Sequence, residues 1–350
     1  MKKNYFMLAA ATMMFAACAE TDLVNEIAVE ETPQAIGFDA FANKTTRVEI
    51  DDETLKNAKF IVWGYKGDKV TVDDETTADW TTQQTVFGAN GTVVEFKDGT
   101  WKPEDTKYWD KMTNYNFYAA APATPTDGAS YSIQDDMDET NPGFIGISNV
   151  HSGKSADSND FLIARGGAEG IDGDYDGTHT AVDLEFHHTM AKLSFKLVAG
   201  ISEDIEVTSL IMTGWDNGVG AFTQELKETP SSLENSEWEI ASTVAGEAIL
   251  VGVGAGDETV NLPSAKTPVN LSDTYIMVPQ DINAETLTFT IDYEIAGEKY
   301  TAHVGTLNAA QIWGTDSHTI YTITVGPAEI TFNVDVCDWC VDGTGGTPIE

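Results

Sequence analysis

Hydrophobic and polar residues alternate one by one wherever apolar residues cluster in this chain. The alternation is clearest in A-V-D-L-E-F at 181–186, K-L-S-F-K-L at 192–197, T-L-T-F-T-I-D-Y at 286–293, H-T-I-Y-T-I-T-V at 318–325 and I-T-F-N-V-D-V at 330–336. A period of two gives each strand one buried and one wet face, which is typical of antiparallel sheets. No long stretch has a convincing helical period, so the pattern predicts an all-β protein built of sandwiches.

The length of the chain favours two domains. Its 350 residues exceed what a single hydrophobic core usually organises. We predict an N-terminal β-sandwich at 34–190 and a C-terminal β-sandwich at 191–350, although the strands on either side of this boundary almost adjoin. Residues 122–180 are rich in Pro, Gly, Asp, Ser and Asn, which indicates long loops on the first domain.

The first residues have the form of a lipoprotein signal peptide, which we assign to residues 1–17. Lys2 and Lys3 are basic, an apolar stretch follows, and F-A-A-C ends at Cys18. The apolar stretch is of signal-peptide length and too short to span a bilayer. We therefore expect the mature protein to begin at a lipidated Cys18. A plain secretory peptide with a nearby cysteine is the alternative.

The segment after this cysteine predicts a tether. Residues 18–33 are acidic and have no apolar periodicity, which indicates a flexible link that holds the domains away from the lipid surface. With acyl chains on Cys18, the protein is anchored to the membrane rather than embedded in it.

Charge and motif content exclude two classes of function. The net charge of −38 repels phosphate backbones, so we predict no binding of nucleic acid. A hydrophobic fraction of 41% is ordinary for a globular protein. The sequence contains no G-x-S-x-G, H-E-x-x-H or Gly-rich phosphate loop, so we predict neither an enzyme nor a cofactor.

Several phrases, taken in order, resemble the fimbrillin family, the Mfa-like proteins that form type V pili. They are W-K-P-E-D-T-K-Y-W at 101–109, N-F-Y-A-A-A-P at 116–122, D-F-L-I-A at 160–164, F-H-H-T-M-A-K-L-S-F-K-L at 186–197 and Y-I-M-V-P-Q at 275–280. The resemblance implies two transthyretin-like antiparallel β-sandwich domains in tandem. It also implies export as a palmitate-bearing lipoprotein of the cell outer membrane, and polymerisation by strand exchange after proteolysis.

The segment Q-A-I-G-F-D-A-F at 34–41 reads as the strand that such exchange would replace. Ile36, Phe38 and Ala40 alternate on one face, and a polar break follows. The resemblance implies that an Arg-specific protease removes the lipidated leader together with this strand. A strand from the next subunit would then fill the vacated groove.

Only two arginines, Arg47 and Arg165, are available for such a cut. Arg165 ends the apolar run F-L-I-A, so we expect it to be shielded within or beside a strand. Arg47 lies between two apolar segments, and we predict cleavage between Arg47 and Val48. An ordinary surface arginine at position 47 is the alternative.

The resemblance therefore implies a structural or adhesive subunit of a surface fimbria. Its partners would be other fimbrial subunits, outer-membrane lipid through Cys18, and host or bacterial surface ligands. A surface lipoprotein that does not polymerise and instead binds glycans or host ligands is the alternative function. Aromatic side chains would serve it as sugar platforms, with core packing as the competing interpretation; the candidates are Trp80, Trp101, Trp109 and Trp215.

Two further patterns resemble metal sites, and neither supports one. Asp172, Asp174, Asp176 and Asp183 have the spacing of calcium ligands in an EF-hand loop. The last ligand is usually Glu and no helices flank the loop, so an acidic turn is favoured. His187 and His188 adjoin a strand and point to opposite faces, so we expect one in the core and one exposed.

Cys337 and Cys340 form C-D-W-C at the end of an alternating run. A single C-x-x-C supplies only half of a zinc site, and no helix pattern follows it as a redox motif requires. We interpret it as an incidental pair that oxidises outside the cytoplasm.

Overall fold

The computed structural model of the chain describes residues 33–42, 52–72, 75–110, 113–134, 144–155, 160–166, 181–225, 233, 236–241, 244–327 and 330–339. These residues form 25 strands and one short helix, α1 (Asp52–Ala58). The predicted all-β class is confirmed.

In chain order the strands are β1 (Gly37–Ala42), β2 (Phe60–Val72), β3 (Glu75–Thr85), β4 (Thr92–Lys97), β5 (Thr100–Pro103), β6 (Thr113–Ala121), β7 (Ser130–Gln134), β8 (Phe144–Val150), β9 (Gly153–Lys154), β10 (Leu162–Gly166), β11 (Ala181–His188), β12 (Ala191–Ala199), β13 (Ile205–Asp216), β14 (Val219–Glu225), β15 (Ser236–Ala241), β16 (Ala245–Val251), β17 (Val260–Leu262), β18 (Val269–Asn270), β19 (Tyr275–Met277), β20 (Gln280–Ile282), β21 (Thr288–Ile295), β22 (Glu298–Thr306), β23 (Gln311–Trp313), β24 (Ser317–Val325) and β25 (Thr331–Asp338).

The largest sheet closes on itself. Its strand order is β3-β2-β4-β5-β1-β11-β10-β6, and β6 also pairs with β2. Seven strands therefore form a ring, and β3 is attached to β2 outside it. The side chains that point inward form one apolar cluster, which includes Phe60, Trp101, Phe117, Leu184 and Phe186. We call this cluster the ring core.

A second apolar cluster covers the outside of the ring. On β6, Phe117 and Ala119 face the ring core, whereas Tyr118 and Ala120 belong to the outer cluster. A four-stranded sheet in the order β15-β14-β8-β7 contributes Ile147 and other apolar residues to the outer cluster. Both faces of β6 are thus buried, which explains why its N-F-Y-A-A-A run lacks polar alternation.

The second half of the chain forms a two-sheet sandwich. One sheet has the order β25-β24-β12-β19-β9, with β18 also paired to β12; the other has the order β16-β13-β21-β22, with β17 also paired to β13. Residues such as Phe195 and Tyr321 of the first sheet and Phe289 and Ile291 of the second share one core. β20 and β23 pair separately.

Strands from the two halves of the chain share sheets. β8 pairs with β14, and β9 pairs with β19, although the members of each pair lie on opposite sides of Met190. The ring core draws on residues 36–186 and the sandwich core on residues 191–325. The two-domain division at 190 stays a prediction.

Two strand pairs differ from the antiparallel expectation. β1 runs parallel to β11, and β12 runs parallel to β24. Alternation along one strand reports which face is buried but carries no information about the direction of its neighbour. The long chain segments between the members of each pair allow the crossover that parallel pairing requires.

The short link between β11 and β12 is held by side chains of both halves. His188 Nδ1 lies 2.9 Å from Asp160 Oδ2, and the His188 ring stacks on Trp339 at 3.9 Å between centroids. His187 Nδ1 lies 3.3 Å from Asp316 Oδ2. The expectation that one of these histidines is exposed is wrong, because packing from the two halves buries both.

The contact between His188 and Asp160 should contribute measurably to stability. In Asp160→Ala the buried imidazole loses its partner, and we expect the free energy of unfolding to fall by about 2–3 kcal/mol. The exposed Asp281 is the matched control, and Asp281→Ala should change it by less than about 0.5 kcal/mol. Equal small losses in urea denaturation would contradict this role for Asp160.

A second polar contact joins β9 to the loop before β19. Lys154 Nζ donates hydrogen bonds to Asp273 Oδ2 and to the Gly254 carbonyl, each at 2.7 Å, and Gly256 N donates to Asp273 at 2.7 Å. Burial by itself would raise the pKa of the Asp273 carboxyl, but these hydrogen bonds outweigh burial and leave the pKa below its usual value.

This lowered pKa predicts a pH dependence. Ionised Asp273 stabilises the fold above its unfolded pKa of about 3.9, and the contribution is lost as the pH falls through the lower folded pKa. Asp273→Asn should therefore lower the melting temperature by a constant amount above about pH 5. The difference from the wild type should shrink below about pH 4. If thermal scans showed that the difference in melting temperature grows as the pH falls, the lowered pKa of Asp273 would be contradicted.

Candidate functional site

The first described strand occupies the middle of the closed ring. β1 lies between β5 and β11, and its parallel register with β11 runs from Gly37 opposite Ala181 to Ala42 opposite Phe186. On its other side Phe38 pairs with Trp101 of β5. An N-terminal segment therefore closes the ring between two strands from later in the chain.

Hydrogen bonds hold the residues just before this strand and one residue within it. Ile36 N donates to the Lys107 carbonyl at 2.8 Å, and Trp109 N donates to the Gln34 carbonyl at 3.0 Å. Trp101 Nε1 donates to the Ala40 carbonyl at 3.2 Å. The segment 34–42 is thus paired along its backbone before β1 begins as well as within it.

The inward side chains of this segment fill the ring core. Ile36, Phe38 and Ala42 are each at most 3% exposed, and Ala40 packs against the same core. The Phe38 ring lies edge-on to Phe117 at 5.6 Å between centroids. The ring core therefore depends on this segment for its packing.

The outward side chains make a different surface. Asp39 is exposed, and Phe41 is 39% exposed. No other layer buries this face among the described residues. The strand is therefore held by its two edges and its inner face, which are the contacts that a replacement strand could reproduce.

Trp109, which is hydrogen-bonded to Gln34 at the start of the segment 34–42, packs against the buried phenol of Tyr115. Trp109 lies edge-on to Tyr115 at 4.8 Å, and Asp110 N donates to Tyr115 Oη at 2.7 Å. Burial raises the pKa of the Tyr115 hydroxyl to about 12, so this group stays neutral at physiological pH.

Several predicted site residues lie outside the described residues. They are Cys18, Arg47, Val48, Asp172, Asp174, Asp176 and Cys340. Asp183 is exposed on β11. Cys337 lies on β25 and is disulfide-bonded.

Arg165 lies within β10, where it is paired in register with Tyr118 of β6, and its guanidinium stands 5.5 Å from the Tyr118 ring centroid. It is therefore shielded within a strand, as its apolar surroundings in the sequence indicate.

The proposed aromatic platforms are mostly core residues. Trp101 and Trp109 belong to the ring core and Trp215 to the sandwich core, each at most 6% exposed. The side chain of Trp80 lies outside the described residues. Core packing is thus the correct interpretation for three of the four tryptophans.

The described residues contain no group of three or more His, Cys, Asp or Glu side chains placed to hold a metal ion. None of the helices in the described part is long and apolar enough to cross a membrane.

Comparison with known families gives one match. The family model described as "Fimbrillin-like" matches residues 46–339, which is most of the chain. No curated protein matches the sequence.

Solved structures with low sequence identity align with this chain over nearly their whole lengths. A candidate cell adhesion protein from Bacteroides uniformis is 14% identical, covers 87% of this chain and 98% of its own, and has a TM-score of 0.47. The tip fimbrial protein Mfa3 from Porphyromonas gingivalis, truncated at its C-terminus, is 12% identical with a TM-score of 0.39, over 88% of this chain and 100% of its own. The fimbrial anchor protein Mfa2 from the same organism is 9% identical with a TM-score of 0.32, over 88% of this chain and 98% of its own.

The two faces of β1 should differ in their importance for stability. Phe38→Ala removes a buried ring from the ring core and should lower the free energy of unfolding by about 3–5 kcal/mol. Phe41→Ala, on the outward face of the same strand, should cost less than about 1 kcal/mol. Similar losses for both variants in chemical denaturation would contradict the placement of the inward face.

Proposed function

We propose that this chain, which belongs to the fimbrillin-like family, is a subunit of a cell-surface fimbria that assembles by exchange of its first strand. The observation that carries the proposal is the position of β1, which completes a ring between two strands of later sequence. Membership of this family favours a structural role over an enzymatic one, and a location in a surface fimbrium.

Removal of β1 would create an acceptor groove. The edges of β5 and β11 would lose their backbone partners, including the six register pairs along β11. The space left by Ile36 and Phe38 would expose the ring core. Unpaired strand edges and apolar pockets of this kind are the features that recruit a strand from another chain.

The geometry favours displacement over spontaneous release. Each buried side chain of Phe or Ile size contributes about 1.5–3 kcal/mol through burial alone. Ile36 and Phe38 are both fully packed in the ring core. A leader that has been cut would therefore remain seated until an incoming strand replaces its contacts one by one.

We propose that cleavage after Arg47, before Val48, frees the leader for this exchange. β1 ends at Ala42 and α1 begins at Asp52, so a cut at this position separates the strand from the rest of the fold. The lipid on Cys18 would hold the subunit at the outer membrane until cleavage. Arg165 makes a poor substrate, because its backbone is paired within β10.

A surface lipoprotein that binds glycans or host ligands without polymerising is the second function. An uncut leader would leave the ring closed and the subunit attached to lipid through Cys18. The two functions predict different outcomes of the same proteolysis experiment.

The test uses limited digestion of the full mature chain with an Arg-specific protease. We expect one cut, after Arg47, followed by a ladder of multimers that survive without denaturation. A synthetic peptide of residues 34–46, added in excess, should suppress the ladder because it refills the groove. The same peptide with Phe38→Asp should not, since a charge cannot enter the apolar ring core.

The matched control is Arg47→Lys, which removes the cleavage site and keeps the charge. This variant should stay uncut and monomeric under the same digestion. Wild-type protein that is cut after Arg47 and remains an inert monomer would overturn strand exchange. Resistance of the wild type at Arg47 would favour the surface lipoprotein that does not polymerise.

A further inference from the structure

Trp339, at the end of the last described strand, packs onto the link between β11 and β12. Its indole lies nearly parallel to the His188 ring, with 3.9 Å between centroids and 8° between the planes. Its backbone N donates to the Asp316 carbonyl at 3.2 Å, and Asp316 N donates to the Met190 carbonyl at 3.2 Å. Both rings are buried. The end of β25 therefore covers the link at which the two halves of the chain meet.

This packing comes at the end of an edge strand. β25 lies at one end of its sheet, and β24 is the one strand that pairs with it among the described residues. The register ends at Asp338, which is exposed and lies opposite Ser317. Strand ends of this kind open locally at a low cost in free energy. Without a further constraint, the contact of Trp339 with His188 would be among the first at the link to open.

A covalent constraint lies two residues before Trp339. Cys337 is disulfide-bonded, and it lies opposite His318 on β24, with its Sγ 3.7 Å from the His318 carbonyl oxygen. The chain has two other cysteines, Cys18 and Cys340. Cys340 directly follows Trp339, whereas a lipid-bearing Cys18 would have no thiol left to form a disulfide. Cys340 is therefore the partner that the proposed lipidation leaves.

We propose that a disulfide between Cys337 and Cys340 is a redox-sensitive latch that holds Trp339 against His188. The closed loop contains two residues between the cysteines, Asp338 and Trp339, so it restrains the backbone on both sides of the indole. A thiol reductant opens it: the S–S bond breaks, and each cysteine sulfur gains one electron and one proton. Two thiols of the reductant supply them and join in a new disulfide. Opening frees Trp339 to leave the link.

The latch predicts a specific route for its effect on stability. A cross-link also stabilises a protein by restricting the unfolded chain, and this effect is smallest for a short loop such as this one. A latch adds a second effect, which passes through the contact of Trp339 with His188. Reduction of the disulfide and removal of the indole should then be non-additive, because they break the same contact.

The first test follows the histidine ring signals of the full mature chain by NMR, with and without dithiothreitol. The stacked indole shields the ring protons of His188, and His188→Gln identifies their signals. We expect reduction to move these signals downfield, toward their positions in Trp339→Leu, which removes the indole and keeps an apolar side chain. His303, whose ring lies 5.5 Å from that of Tyr293, is the matched control, and its signals should stay in place.

The second test compares urea unfolding midpoints under oxidising and reducing conditions. Reduction should lower the midpoint of the wild type, and should lower that of Trp339→Leu by about half as much or less. A variant that combines Cys337→Ser with Cys340→Ser should match the reduced wild type and should not respond to dithiothreitol. Peptide mapping of the oxidised chain should find both cysteines in one internally cross-linked peptide.

His188 signals that stay in place after full reduction would overturn the latch. So would equal losses of the midpoint in the wild type and in Trp339→Leu, or a peptide map that joins Cys337 to Cys18. Every readout uses uncut protein, so none depends on cleavage after Arg47. Strand exchange and the latch can therefore fail separately.

Discussion

The structure depends on the pairing of β1 with β5 and β11. A sheet that has lost one internal strand leaves two rows of backbone donors and acceptors unpaired, and its core open. Here the closing strand comes from the start of the chain, and its neighbours come from much later positions. One short segment thus closes a ring whose six other strands lie between residues 60 and 188, and the proposed exchange requires such a segment.

Side chains from the two halves of the chain contact each other around the link between β11 and β12. His188 is held between Asp160 and Trp339, and His187 contacts Asp316 across 129 positions of sequence. β8 and β9 add strands to sheets whose other members lie beyond the link. These contacts lie outside the six register pairs between β1 and β11, so the proposed exchange of β1 would leave them in place.

The contacts between the two halves of the chain also form a groove of about 330 Å³. Its walls come from β9 on one side of the link and from β13, β16 and β19 on the other. Lys154 ties β9 to the loop at Asp273, so the position of this wall is fixed by one well-formed polar contact. A groove formed between the two halves exists only when both halves are folded together.

The alternation of apolar and polar residues predicted the positions of several strands correctly. The runs at 181–186, 192–197 and 318–325 became β11, β12 and β24, and 330–336 became most of β25. Alternation failed where both faces of a strand are buried, as on β6, because no polar residue then marks the outward face. It also gave the wrong exposure for one of the two histidines, since burial there comes from a layer distant in sequence.

The sequence by itself determined the all-β class, which apolar side chains of the alternating strands face a core and, through its ordered phrases, the family. Those features arise from interactions between near neighbours or from a pattern that one chain displays along its length. The opposite face of β12 and β24, which alternation predicts to be wet, is buried at Lys192, Ser194 and His318. Only the tertiary structure decided that β1 runs parallel to β11, that the ring closes, and that Trp215 lies under a polar groove. Each of these depends on which distant segments meet, and that choice is set by the packing and register of the whole chain.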